Sequence, residues 1–143
     1  MPIASQTAAR DAIYGCLKAA VAASSYSSVP IYYDDVVKST PPATAAYIQA
    51  KCDLLREVQS SLGEAGNRRF RIYGIIMVQV FTPFGDGLTL ADVLSGVVKG
   101  AFRGVNTGSD AITFRNTRVV DVGPSGAWRQ TNVVAEFDYD EIA

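Results

Sequence analysis

The sequence predicts an α+β protein, and three observations predict it. Residues 5–23 and 89–102 carry apolar side chains at helical spacing. Residues 67–81 alternate between two sets of side chains along their whole length, the period of a strand. Two further strand-like runs, about 112–122 and 127–139, are separated by the turn Gly123-Pro124-Ser125-Gly126.

The first helix has a narrow stripe of Ala9, Ile13, Cys16, Leu17, Ala20 and Val21, with Ser5 placed to cap it. Its small alanines suit close packing against a flat surface such as a sheet. The connector Ser24 to Ser28 leads to Val29-Pro30-Ile31-Tyr32-Tyr33, a short aromatic strand that Pro30 directs to an edge. The following loop holds Pro41 and Pro42, which disfavour helix. Residues 46–60 fit two patterns. Ala46, Ile48, Ala50, Cys52, Leu54 and Val58 alternate as in a strand, while Ile48, Lys51, Cys52, Leu55 and Leu62 fit a helical stripe.

The run from 67 to 81 would span roughly 45 Å at about 3.3 Å per residue. A compact body of this chain length is only about 37 Å across. With the Gly- and Asn-containing stretch SLGEAGN before it, the run predicts a long β-hairpin that reaches beyond the globule. The second helix has the stripe Leu90, Val93, Leu94, Val97, Val98 and Phe102. Thr89 and Asp92 form its capping pair, Leu88 is placed to staple onto Val93, and Gly104 to end it. In the last strand Val133, Ala135, Phe137 and Tyr139 share a face.

The totals bound function. A chain of 143 residues is expected to form one domain, and a net charge of −1 gives no global pull toward nucleic acid or anionic lipid. There is no histidine, which removes the commonest general base and zinc ligand together. Cys16 and Cys52 have no metal-ligand spacing and read as reduced, half-buried packing residues of a protein folded in a cytoplasm. The start MPIASQTAARDAIYG lacks the basic and apolar regions of a secretory signal, and no membrane span is expected.

The stretch FTPFGDG ahead of the second helix has the outline of a phosphate loop but not its chemistry. No lysine follows Gly85 and Gly87 until Lys99, and Leu90 stands where a dinucleotide fingerprint needs its third glycine. Asp86 would repel an anion. The turn is expected to be structural, with no cofactor and no metal bound. The carboxylates Asp34, Asp35 and Asp86, with no histidine or activated cysteine, do not make an enzyme, so none is expected.

The order of elements, with SLGEAGNRRFRIYGIIMVQVFTPFGDG, the helix end GAFRG and the close VVDVGPSGAWRQTNVVAEFDYDE, resembles the tail terminator family of long-tailed bacteriophages, which includes small lambda-type proteins. The resemblance covers nearly the whole chain, 1–143, and rests on pattern rather than on a catalytic motif. It implies a mostly antiparallel sheet with both helices packed on one face, and residues 46–60 as a strand of that sheet. It implies a homo-hexameric ring that caps the tail tube, stops its polymerisation and presents a surface for head-tail joining. The implied partners are further copies of the chain, the major tail tube protein and the head-tail connector or stopper. DNA would pass through without specific binding, and no membrane is involved. The implied location is the tail-neck region of the virion, after assembly in the host bacterial cytoplasm. The basic run Arg68, Arg69, Arg71 departs from the family's pattern.

Candidate interface residues follow. The hairpin tip and base, Leu62, Glu64, Asn67, Arg68, Arg69 and Arg71, with Tyr32 and Tyr33, are candidates for contact with a neighbouring subunit or the tube. The acidic group Glu136, Asp138, Asp140 and Glu141 would pair with a neighbour's Arg68, Arg69 or Arg71, or line the channel and repel DNA. Each set also reads as solvated charge at a strand end. Tyr32 and Tyr33 cannot both face the core of one strand. Trp128 and Tyr139 read as core or as one aromatic interface patch. Two other functions compete: another ring protein of the virion neck, and a single-stranded nucleic-acid binder using Arg68, Arg69, Phe70, Arg71 and Tyr73.

Overall fold

The spine of the molecule is one long central strand. The computed structural model describes residues 5–33, 46–83, 89–103, 106–107, 112–126 and 128–142. Its elements are α1 (Gln6–Ala22), β1 (Ile31–Tyr33), β2 (Tyr47–Gln59), β3 (Arg69–Pro83), α2 (Thr89–Phe102), β4 (Asn106–Thr107), β5 (Ile112–Ser125) and β6 (Trp128–Ile142). They form an α+β fold with a single sheet in the order β1-β2-β3-β6-β5-β4. All neighbours are antiparallel except β1, which adds parallel to β2 at the edge that Pro30 anticipates. The FGDG turn, the proline loop with Asp34 and Asp35, Leu88 and Gly104 lie outside the described residues.

Residues 46–60 are strand, not helix. β2 pairs with β3 from Tyr47↔Phe81 to Gln59↔Phe70, and that ladder overrides the intrinsic helical preference of Lys, Leu, Arg, Glu and Gln. A bulge between Leu54 and Arg56 ends the clean alternation, and from Leu55 to Gln59 the strand is exposed. This is the projecting hairpin. At its tip Ser60 N–H donates to Arg69 C=O (2.8 Å), and Arg69 N–H donates to the Ser61 hydroxyl (2.8 Å). Gly66 turns there at φ +92°, which side chains rarely adopt.

Both helices lie on one face. Ala9, Ile13, Leu17 and Val21 of α1 are buried with Ile48, Ala50, Cys52, Ile76, Val78, Val80, Val133, Ala135, Phe137 and Tyr139 of the sheet. Ser5 caps α1 by accepting from Ala8 N–H at 3.1 Å. The Cys16 thiol reaches the Ala101 carbonyl at 3.6 Å, tying α1 to α2. Cys52 is buried, and burial pushes its thiol up to about 11.

The buried face of α2 is turned from the expected stripe. Ala91, Ser95 and Ala101 are buried with Leu94, Val98 and Phe102, whereas Val93 is exposed. Small side chains let α2 approach its neighbours closely. Ser95 buries its hydroxyl because it donates to the helix's own Ala91 carbonyl at 2.6 Å.

Gly74 marks the tightest approach in the sheet. A Cβ there would collide with the Phe137 ring and lie 2.6 Å from the Asp53 carbonyl oxygen. Phe137 lies over this gap and continues an aromatic row through Phe114 to Phe102, with centroids 6.4 and 5.0 Å apart. Gly74→Ala is expected to cost about 1–3 kcal/mol through overpacking. Gly96→Ala, on an exposed helix position with open space around the added methyl, is expected to gain about 0.5–1 kcal/mol. Urea melts of the two variants against the parent chain check both signs.

Candidate interaction surface

Alternation along the strands sends every second residue to the face that carries no helix. At one end of that face lies an aromatic group. Tyr47 stacks on Phe81 with centroids 4.7 Å apart and meets Trp128 and Tyr32 edge-on at 5.2 and 5.8 Å. Gln79 and Asn132 come next as opposed residues of β3 and β6, followed by Met77 opposite Val134. The far end is charged.

Cross-strand register builds that charged end. Arg71 lies directly opposite Asp140 and donates to it through Nε at 2.9 Å and Nη2 at 3.2 Å. Arg69 adds a longer contact to the same carboxylate at 3.9 Å. Arg115 meets Asp138 at 2.9 Å. Glu136 accepts from Asn116 Nδ2 at 2.7 Å, with Arg118 at 3.7 Å. Arg56 lies over the Tyr73 ring, 4.4 Å from its centroid. These strands border a groove of about 380 Å³ lined by Arg56, Tyr73, Arg115, Asn116, Glu136 and Asp138. Among the described residues no group of three His, Cys, Asp or Glu side chains is placed to hold a metal ion. The groove offers paired charge and ring surface.

The candidates from the sequence fall into three places. Leu62, Glu64, Asn67 and Arg68 sit at the hairpin tip, where Leu62 is 93% exposed and Arg68 lies over the Phe70 ring at 5.8 Å. Arg69 and Arg71 come together with Asp140 inside one chain. Within the chain these two arginines find an acid across β3 and β6. Tyr32 and Tyr33 part company: Tyr32 joins the aromatic end, and Tyr33 packs on Tyr14 at 4.8 Å on the helix side. Trp128 and Tyr139 also separate, because an even and an odd position of one strand face opposite ways; Tyr139 is core.

Sequence reading missed Arg115, Asn116, Arg118 and Arg56, and the grouping of Tyr47 and Phe81 with Trp128. The signal was present in the pairing of alternate positions, but reading it needs the register. That register contains bulges at Leu54/Arg56 and Arg115/Arg118, with Asn116 at φ +53°.

No protein-family model and no curated protein sequence matches the chain. Solved structures match its fold. One is 23% identical with a TM-score of 0.72, over 94% of this chain and 95% of that one. Another is a chain of the virion of a native gene transfer agent particle, 20% identical with a TM-score of 0.53, over 92% of this chain and 93% of that one.

The Arg71 hydrogen bond holds the Asp140 carboxyl below the usual carboxylate range, with further pull from the Arg71 and Arg69 charges against the opposing effect of burial. A carboxyl lowered on folding stabilises at pH values above its unfolded pKa, and that contribution disappears as pH falls through the folded value. Asp140→Asn is therefore expected to lose up to about 1 kcal/mol at neutral pH, the scale of a partly exposed pair. The gap between variant and parent should narrow as pH falls through the lowered folded pKa of Asp140, below the usual carboxylate range. Urea midpoints measured from pH 7 to pH 2 check this; a gap that persists undiminished at pH 2 would assign the loss to packing instead.

Proposed function

We propose that the chain is a structural virion protein that caps a phage-type tail tube as a hexameric ring, ends tube polymerisation and forms the tail-side surface for head-tail joining. The observation that carries the reading is the end-to-end likeness of fold to a chain of a gene transfer agent virion. The resemblance of RIYGIIMVQVFTPFGDG and VGPSGAWRQTNVVAEFDY to the tail terminator family adds the position at the tail end.

The surface suits that role. A ring that caps a tube needs two unlike ends and elements that reach past the subunit body. The sheet supplies an aromatic end and a charged end, and the β2–β3 hairpin carries Leu62 beyond the helices. In the proposed ring, the tip residues Leu62, Glu64, Asn67 and Arg68 contact the adjacent subunit or the tube. Asp138 and Asp140, already neutralised within the chain, keep the charged end stiff, while Glu136, whose contact to Arg118 is long, supplies negative charge that keeps passing DNA from adhering. Glu141, at an odd position of β6, faces the other way and is not part of that surface. The role is structural and requires no catalysis and no cofactor.

A second reading, another ring of the virion neck such as the stopper, draws on the same virion likeness. Tail length separates the two. A nonsense mutation in this protein is expected to give overlong tubes without heads in negative-stain micrographs. Free tails of normal length beside filled heads would move the protein to the neck, and normal tails on full heads would contradict both readings.

A further inference from the structure

Among the described residues, the sheet leaves two long strand edges without partners, one on each side. β5 is bonded to β6 along its length, but on its outer side β4 pairs only with Ile112 and Thr113. β2 is bonded to β3, but on its outer side β1 pairs only with Ile48, Gln49 and Ala50. Among the described residues, the outer edges of 114–125 and of 51–59 therefore have no strand beside them. Open edges expose backbone donors and acceptors, and proteins that remain monomeric blunt them. These edges carry charges and bulges, but also exposed apolar side chains. Val119, Val120 and Val122 are exposed on β5, and Leu55 (65%) and Val58 (44%) on β2.

We propose that copies of this chain join through these edges, the β5 edge of one copy pairing with the β2 edge of the next. The inference rests on the ring reading above and names its seam. Several features select a second copy as the occupant. The two edges lie on opposite sides of one sheet, so the contact is heterologous and repeats from copy to copy, as a ring requires. Through β6 and β3, β5 runs antiparallel to β2, so copies related by rotation about an axis along the strands present antiparallel edges to one another.

The edges are also offset. The open part of β2 is level with residues 70–77 of β3, and the valine-bearing part of β5 is level, through β6, with the other end of β3. Pairing offset edges requires strands tilted to the ring axis and staggered from copy to copy, the geometry of closed sheets. Each edge carries both charge signs, Arg118 and Asp121 on one, Asp53, Arg56 and Glu57 on the other, so opposed strands have opposite charges to match. The Arg118–Glu136 contact is long, at 3.7 Å with both partners about half exposed, so Arg118 can exchange it for a neighbour's carboxylate at little cost.

The test blocks one edge at a time with lysines at exposed sites that leave the core untouched. One variant carries Val120→Lys and Val122→Lys, the other Leu55→Lys and Val58→Lys; circular dichroism and melting confirm that both fold. Masses are measured by light scattering up to millimolar concentration. The parent chain is expected to form oligomers larger than a dimer, and each variant alone a monomer. An equimolar mixture should give a heterodimer and nothing larger, because one good edge remains on each partner. A parent chain that stays monomeric, a mixture without the heterodimer, or a β2-blocked variant that dimerises by itself each overturns the seam. Variants that both assemble as the parent does also overturn it, while leaving the ring reading to the tail-length experiment.

Discussion

Everything else in this fold depends on β3 being covered on both edges by strands of nearly its own length. β2 accompanies it from Phe70 to Phe81, and β6 from Arg69 to Pro83. A strand of this length cannot be buried within a compact body of this mass. Its two ladders satisfy the backbone where the helices no longer reach. That is why the hairpin can project, and why the C-terminal end of β6 travels with it. The ladder also places Arg71 against Asp140, so the projecting part is held by a charge-assisted pair as well as by backbone bonds.

Because β3, β2 and β6 satisfy one another, the remaining polar backbone is displaced to the outer strands. Two helices cover one face; their small residues, Ala9 in α1 with Ala91, Ser95 and Ala101 in α2, bring them close to the sheet and to each other. The other face keeps half-buried Phe81, Met77, Ile75 and Tyr73 along β3, flanked by polar and charged side chains. That face therefore combines half-buried rings and aliphatic side chains with paired charge.

Much of this was legible in the sequence. The alternation from Phe70 to Val80 shows on its face, since a period of two in β-branched residues has one structural solution. Ser5 as a cap, Pro30 as an edge marker and the division of Tyr32 from Tyr33 follow equally from local chemistry. Local chemistry could not decide residues 46–60, where Leu54, Leu55 and Arg56 favour helix and only the ladder to β3 makes a strand. The buried face of α2 was misread toward Val93, because hydrophobicity ranks valine above serine and alanine while close packing ranks them the other way. The charged surface was half visible. The acids and Arg69 and Arg71 stood out as clusters, but Arg115 and Arg118 gain meaning only once the bulge between them sets how β5 lies against Asp138 and Glu136.

The central claim is that the ladders protecting β3 leave the outer edges of β2 and β5 to be completed by assembly. The most direct measurement is backbone amide hydrogen exchange, peptide by peptide, in the free chain and in assembled particles. The account predicts that β3 exchanges slowly in both, while residues 51–59 and 114–125 exchange quickly when free and become protected in the particle. Edges that exchange equally fast in both states would contradict it.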